Sequence, residues 1–199
     1  MIPFPDKKYQ IIYADPPWEY KQFSKNKGIS TRFGSVLSQY KTMSVEQICS
    51  LPVKDITDDS CILFLWATMP NLDRAFEVIK AWGFIYKTCA YTWIKLNPKG
   101  MGIYSGLGHW TNGNAELCLL ATKKKYPKRV VKNSKQIQMF PRSRHSQKPD
   151  EIRNEIVRFI GNLPRIELFA RKRENLFGSN LDGWDCWGNE INNSDRSLK

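Results

Sequence analysis

Ile11-Ile12-Tyr13-Ala14-Asp15-Pro16-Pro17-Trp18 decides how this 199-residue chain is read. A short apolar run reads as a buried strand, and it stops abruptly on an acid, two prolines and an aromatic ring. The prolines fix φ and remove two backbone donors, so the carbonyls of Asp15 and Pro16 are held in place and need partners from elsewhere. The residue before each proline is forced into an extended geometry. The product is a rigid corner bearing one carboxylate, aimed carbonyl oxygens and a flat ring. Two readings fit it equally. Such a corner suits a planar base with an exocyclic amine, whose N–H groups the oxygens accept while the ring stacks on its face. It also suits a Pro-rich turn after an edge strand, with Trp18 covering the core.

Outward from this corner, strands alternate with helices. Tyr9–Ala14 is the first strand, and residues 22–38, rich in Ser, Gly and Lys, show no apolar periodicity and read as a loop. Ser44 and Gln47 have capping-box spacing ahead of a short helix reaching Leu51. Cys61–Ala67 reads as a second, fully buried strand. Pro70 opens a helix with Leu72, Ala75, Phe76 and Ile79 on one side, closed by Gly83. Phe84–Ile94 and Ala115–Ala121 are strand regions with a Gly-rich loop between them. Pro149 lies in the first turn of a helix bearing Ile152, Ile156, Val157 and Ile160 and ended by Gly161. Ile166–Ala170 and Trp184–Trp187 close the series. This order predicts an α/β domain with a mainly parallel sheet covered on both faces. One domain over residues 1–190 is expected, with a frayed tail over 191–199.

At 41% hydrophobic with seven tryptophans, the chain can bury a full core. Residues 1–6 lack the basic start and apolar stretch of a secretory signal, and the longest apolar run, Cys61–Ala67, is far too short to span a bilayer. The five cysteines, Cys49, Cys61, Cys89, Cys118 and Cys186, are scattered without metal-ligand spacing, and read as buried reduced thiols of a cytoplasmic protein. No metal is expected. The formal charge of +12 favours a polyanionic partner. The basic residues cluster in loop-like stretches. Lys21, Lys25, Lys27 and Arg32 follow the corner; Lys123, Lys124, Lys125, Lys128 and Arg129 crowd the middle; Arg142 and Arg144 come next. That placement suits contacts to a phosphate backbone, against the alternative of a surface that is merely solubilising.

Asp15-Pro16-Pro17-Trp18 is also identical to the tetrad of the amino-methyltransferases that act on adenine N6 with S-adenosylmethionine. Further pieces follow in that family's order. They are Tyr40-Lys41-Thr42-Met43-Ser44, Leu63-Phe64-Leu65-Trp66-Ala67-Thr68, Trp93-Ile94-Lys95-Leu96-Asn97, and Gly108-His109-Trp110-Thr111-Asn112 with Glu116. Then come His145-Ser146-Gln147-Lys148-Pro149-Asp150-Glu151-Ile152, Ile166-Glu167-Leu168-Phe169-Ala170-Arg171, and Gly183-Trp184-Asp185-Cys186-Trp187-Gly188-Asn189-Glu190. From about Lys8 to Glu190 the chain resembles the branch typified by the catalytic subunit of the mRNA adenosine methyltransferase, which also has small bacterial and phage members acting on DNA.

The resemblance implies a seven-stranded, mostly parallel Rossmann-like sheet, circularly permuted so that the catalytic strand comes first and the cofactor strand near the C-terminus. It implies catalytic roles for Asp15, Pro16, Pro17 and Trp18, with Trp18 stacked on the base. It implies S-adenosyl-L-methionine as cofactor, held by Asp15, Ser146, Lys148, Glu167, Arg171, Asn189 and Glu190. In large relatives the loop holding His109-Trp110-Thr111-Asn112 helps form a dimer interface, so a homodimer and local core packing of Trp110 both stand as readings. Two departures matter. Phe169 leads into Ala170-Arg171-Lys172-Arg173 without a glycine-rich loop, and residues 173–180 form an unusually long connection. Only fourteen residues precede Asp15 in this sequence, so the contact that an acidic-apolar segment ahead of the tetrad makes to the cofactor adenine in larger relatives is expected to come from elsewhere. The chain is too short for a large separate target-recognition domain, which leaves residues 21–39, 97–113 and 123–146 to recognise the substrate. The expected activity is site-specific methylation of adenine N6 in DNA. The alternatives are the same reaction on RNA, or a non-catalytic nucleic-acid-binding subunit.

Overall fold

A computed structural model describes residues 3–19, 42–106, 108, 110–142, 147–170 and 183–188. Seven strands among them form one sheet: β1 Tyr9–Ala14, β2 Thr57–Ala67, β3 Ile85–Leu96, β4 Ala115–Thr122, β5 Ile137–Pro141, β6 Arg165–Leu168 and β7 Asp185–Trp187. Their order is β5-β3-β4-β2-β1-β6-β7. Helices α1 Val45–Cys49, α2 Leu72–Ala81 and α3 Glu151–Ile160 cover it.

The central strands carry uninterrupted apolar stretches (residues 11–14, 61–67 and 117–121) because both sheet faces are covered there. Ile12, Ala14, Leu63 and Leu65 pack on one face with Val45, Ile48, Ala75 and Val78 of α1 and α2. Ile11, Tyr13, Phe64 and Trp66 pack on the other with Ile152, Ile156 and Ile160 of α3. Ser44 accepts the Gln47 backbone N–H while the Gln47 side chain accepts from the Ser44 backbone, so the expected capping box is formed. Gly83 and Gly161, at φ +78° and +104°, close α2 and α3 in conformations that other residues adopt with strain.

The sheet is mixed. β4 runs antiparallel to both β2 and β3, and the other four pairings are parallel. The reversal follows from the connection: β3 passes to β4 through residues 97–114, whose described residues form no crossover helix, and β4 returns along its neighbour. β5 is a strand inside the stretch 123–146 expected to be loop. Its residues alternate exposed and half-buried on the sheet edge, and the strand is only five residues long and ends on Pro141, so it is weakly marked among the polar and basic residues that precede it. In α2 the buried residues are Ala75, Val78 and Ile79, whereas Phe76 is turned outward with its ring edge on Tyr86. Cys61 and Cys118 are buried, while Cys49, Cys89 and Cys186 are half-buried rather than enclosed as expected; all five are free thiols.

β1 and β6 lie side by side and parallel, with Ala14 opposite Leu168. From β1 the sheet continues to β2, and from β6 to β7 on the other side. The carboxyl ends of β1 and β6 therefore meet where the strand order reverses, the place at which open α/β sheets take ligands.

Candidate active site

Asp15 leaves β1 at this switch point. Its backbone N–H reaches the Leu168 carbonyl at 3.5 Å, tying the corner to β6. The Pro16 carbonyl, expected to need a partner from elsewhere, accepts the nearby Trp18 backbone N–H at 2.9 Å, leaving its second lone pair for another donor. The Pro17 carbonyl accepts the Met43 N–H at 2.8 Å, and Met43 returns its carbonyl to the Glu19 N–H. Arg74 of α2 donates to the Glu19 carbonyl. The tetrad is thus clamped on both sides.

Trp18 does not present an open face for stacking. Its ring is buried in the core on the α1/α2 face, and its indole N–H donates to the Trp66 carbonyl at 3.1 Å. That is the core-covering reading, and it corrects the stacking role. A tryptophan meets both demands here because its ring fills the core while its N–H satisfies a strand-end carbonyl.

Lys148 lies just before α3. Instead of offering a free ammonium, it donates to both carboxylate oxygens of Asp15 at 2.8 Å each and sits 3.1 Å from Glu116 Oε2. Glu116 Oε1 meets Lys95 Nζ at 2.5 Å. Burial alone would lower the Lys148 pKa, but the two carboxylates more than offset it and raise the value. Burial pushes Glu116 up, and Lys148 with Lys95 outweighs it, so its pKa is lowered. Both groups are therefore charged at neutral pH. Lys148, expected to hold the cofactor, has its charge matched here by two acids.

Glu167 on β6 is also engaged. Arg153 of α3, almost fully buried, donates to Glu167 at 2.5 Å and to Asp150 at 2.7 Å. Burial raises the Glu167 pKa, with Arg153 opposing. Beyond β6, Phe169 holds a positive φ of 62° without being glycine. Strain of this kind collects at ligand-binding edges, and here it turns the chain at the switch point in place of a glycine-rich loop.

Glu116 and Lys95 belong to the site although sequence reasoning assigned neither of them a role there. An acid opening an otherwise apolar strand, Ala115-Glu116-Leu117-Cys118-Leu119, was a readable signal, because a buried carboxylate requires a cation.

Of the basic residues, Arg142 lies on the same edge as Asp15. It follows β5, donates its backbone N–H to the Leu96 carbonyl, and lays its guanidinium 4.1 Å from the Tyr104 ring centre. Lys123, Lys124 and Lys125 are at the opposite edge, where β4 ends. Ala14 aligns with Leu65 and Leu65 with Leu119, so Lys123 lies four residues, about 13 Å, further from the corner. Lys128 and Arg129 lead to Val130, whose N–H bonds the Phe159 carbonyl at the C-terminal end of α3, again away from Asp15. Their grouping with Arg142 as one recognition surface is corrected. Trp110 is 93% exposed, so local core packing is excluded for it. Lys21, Lys25, Lys27, Arg32, Arg144, Ser146, Arg171, Asn189 and Glu190 lie outside the described residues, as do the loop 22–38 and the tail 191–199.

A clamped carboxylate corner at the switch point of a permuted Rossmann-like sheet defines a methyltransferase architecture. The comparisons agree. The chain belongs to the MT-A70 family, which matches it over residues 9–190 and whose members use S-adenosyl-L-methionine. It is 37% identical to the type II methyltransferase M.MunI of Mycoplasma sp over 201 residues, covering 94% of this chain and 79% of that one. It is 29% identical to the N(6)-adenosine-methyltransferase MT-A70-like protein of Drosophila melanogaster, spanning 27% of that protein's length. It is 28% identical to the human N(6)-adenosine-methyltransferase catalytic subunit METTL3, of which it spans 29%.

Proposed function

We propose that the protein methylates the exocyclic N6 amine of adenine in DNA. The observation carrying this reading is the intact Asp15-Pro16-Pro17-Trp18 corner, clamped at the β1/β6 switch point with its carboxylate held by a buried lysine. DNA is favoured over RNA by the relative of which this chain spans most of the length, a type II methyltransferase; the RNA reading rests on relatives of which it spans under a third. The intact tetrad weighs against a non-catalytic subunit.

The bound cofactor supplies an electrophilic methyl group on a sulfonium. The adenine amine is a poor nucleophile because its lone pair is delocalised into the ring. Asp15 accepts one of its N–H bonds and the remaining lone pair of the Pro16 carbonyl accepts the other, which favours a pyramidal nitrogen whose lone pair is localised rather than shared with the ring. The amine nitrogen would take the methyl group, leaving the C–S bonding pair with the cofactor's sulfur. Asp15 stabilises the growing positive charge and passes the released proton to solvent. Lys148 and the rest of the charged chain fix the carboxylate so that it need not reorganise during the step. The crevice between β1 and β6 suits the cofactor: Asp15 matches its ammonium, and Asn189 and Glu190, which follow β7 in sequence, are assigned to its ribose hydroxyls. Ser146 and Arg171 are assigned to its remaining polar groups, and Glu167 backs the floor through Arg153. The target base must be unpaired or flipped out to reach the corner. Arg142 with Tyr104, on the same edge, is placed to hold a flanking nucleotide by charge and stacking.

The test is transfer of labelled methyl groups to duplex DNA, single-stranded DNA and RNA of matched sequence, with the product nucleoside identified by mass. N6-methyladenine in DNA supports the reading. Product in RNA alone moves it to the second reading, and no product with any of the three refutes it.

A further inference from the structure

Four charged side chains from four separate segments alternate in sign across the carboxyl edge of the sheet: Asp15 after β1, Lys148 before α3, Glu116 on β4 and Lys95 on β3. The inner pair is nearly enclosed, with side-chain exposures of 6% for Lys148 and 9% for Glu116, while the ends, Asp15 and Lys95, are 19% and 20% exposed. The links are unequal. Both Asp15 oxygens receive hydrogen bonds from Lys148. Glu116 Oε1 is held by Lys95 at 2.5 Å. Glu116 Oε2 lies 3.1 Å from Lys148 Nζ, within ion-pair distance, yet it is a buried acceptor with no hydrogen bond aimed at it. The pull of Glu116 on Lys148 is mainly one of charge, and its strength depends on how far Lys95 neutralises Glu116.

We propose that Lys95 is a positioning residue for the methyl-transfer step, which by neutralising Glu116 keeps Lys148 donating to Asp15 and so holds the catalytic carboxylate in one orientation. Without Lys95, Glu116 would carry an uncompensated buried charge, and the nearest cation able to answer it is Lys148. Lys148 would then move off Asp15 toward Oε2. The other groups facing Asp15 do not supply this control. Glu167 from β6 is matched by Arg153. Tyr13 on β1 and Cys118 on β4 are held in their neutral forms by burial, which raises both pKa values. Lys95 is itself fixed, its ammonium resting 5.3 Å from the Trp93 ring centre as well as on Glu116.

This inference rests on the methyltransferase reading, and the experiment separates the two. Single-turnover rates and KM values for duplex DNA and for cofactor are measured for wild type, Lys95→Met, Lys95→Gln, Lys95→Arg, Glu116→Gln and the double variant Lys95→Met/Glu116→Gln, with a melting temperature for each. The expected result is a rate loss of about tenfold for Lys95→Met and Lys95→Gln, with both KM values within about twofold of wild type, and recovery to near wild type in Lys95→Arg. In the Glu116→Gln background, Lys95→Met should have no further effect, since the charge it neutralises is gone. Three results would overturn the proposal. One is an equal rate loss in both backgrounds, which would make Lys95 act independently of Glu116. Another is a raised KM for DNA with a flatter salt dependence, the behaviour of a phosphate contact. The third is wild-type rates in both neutral variants. If one neutral variant fails to fold, the other is the measurement. A wild-type protein that transfers no methyl group strikes the proposed function, whereas an active wild type with uncoupled variants strikes this inference alone.

Discussion

Replacing Asp15 by asparagine removes one charge from a site where it has two tasks. The structure separates their magnitudes. In catalysis, the amide of the Asp15→Asn variant still accepts one hydrogen bond but lacks the negative charge that stabilises a forming cationic amine, and loss of a comparable electrostatic group costs about 10²–10³ in rate. In stability, the substitution leaves Lys148, 6% exposed, with a single acid at 3.1 Å in place of two. Losing one partner of a fully buried ion pair costs roughly 3–5 kcal/mol. Here Glu116 remains and the amide oxygen still accepts, so about 1–3 kcal/mol is expected, the range for an imperfectly matched polar group. For a chain of this length that corresponds to a fall in melting temperature of roughly 2–12 °C, at about 2–4 °C per kcal/mol. Lys148→Met alone should be destabilising by a similar amount, because it leaves Asp15 and Glu116 facing each other. The double variant Asp15→Asn/Lys148→Met removes both charges and leaves Glu116 matched by Lys95, so it should be more stable than the sum of the singles predicts while remaining inactive. The assay combines thermal melting of the four proteins with single-turnover methyl transfer. Additive stability losses would show that the contact contributes nothing to folding. A rate near wild type in Asp15→Asn would remove the carboxylate from the mechanism.

Trp18→Ala should cost about 3–5 kcal/mol, as for other buried tryptophans, and Trp18→Phe considerably less, although it leaves the Trp66 carbonyl without its donor; chemical denaturation checks both, and a wild-type melting temperature for Trp18→Ala would return the ring to a surface role. Lys123→Gln/Lys124→Gln/Lys125→Gln should leave methylation of a short duplex within about twofold of wild type, whereas Arg142→Gln should weaken binding and reduce the log–log salt slope by roughly 0.9, as for one lost phosphate contact. The reverse ranking would mean that the substrate crosses the far edge of the sheet. The Glu116 pKa is lowered in the folded protein, so its contribution to stability is present above the ordinary glutamate value and is lost as pH falls through the folded one. Lys148, with its pKa raised, contributes below the ordinary lysine value and is lost as pH rises past the folded one. Melting from pH 3 to 7 should therefore show a shallower acid decline in Glu116→Gln than in wild type, and parallel curves would contradict the assignment.

Much of the fold was legible because the central buried strands carry apolar runs bounded by strong punctuation, as at residues 11–14 before the two prolines and 61–67 before Pro70. The direction of β4 was not, because direction follows from how a connection closes in space, and the Gly-rich stretch after β3 gives no sign of whether it crosses the sheet. β5 escaped because it is a short edge strand ending on a proline, set in a stretch otherwise rich in lysine, arginine and polar residues that reads as loop. At the site, the corner itself was readable from four adjacent residues. Its principal partner was not: Lys148 lies 133 residues from Asp15 and beside a helix start, where an anion site is the natural reading. Trp18 was open in the sequence because a flat ring next to a carboxylate serves equally for stacking and for core packing, and the Trp66 carbonyl that decides the matter lies on another strand. The basic residues misled for a similar reason, since sequence proximity joins Lys123 to Arg142 while β5 carries the chain from one edge of the sheet to the other.

The central claim is that the clamped Asp15 corner methylates adenine in DNA. Its most direct test is to map methylated adenines at single-base resolution in DNA from cells expressing the wild-type chain and, in parallel, the Asp15→Ala variant. N6-methyladenine should appear at one short recurring sequence with the wild type and be absent with the variant, the variant being expressed to the same level and folded. Identical methylation patterns in the two, or no N6-methyladenine above background with the wild type, would contradict the account.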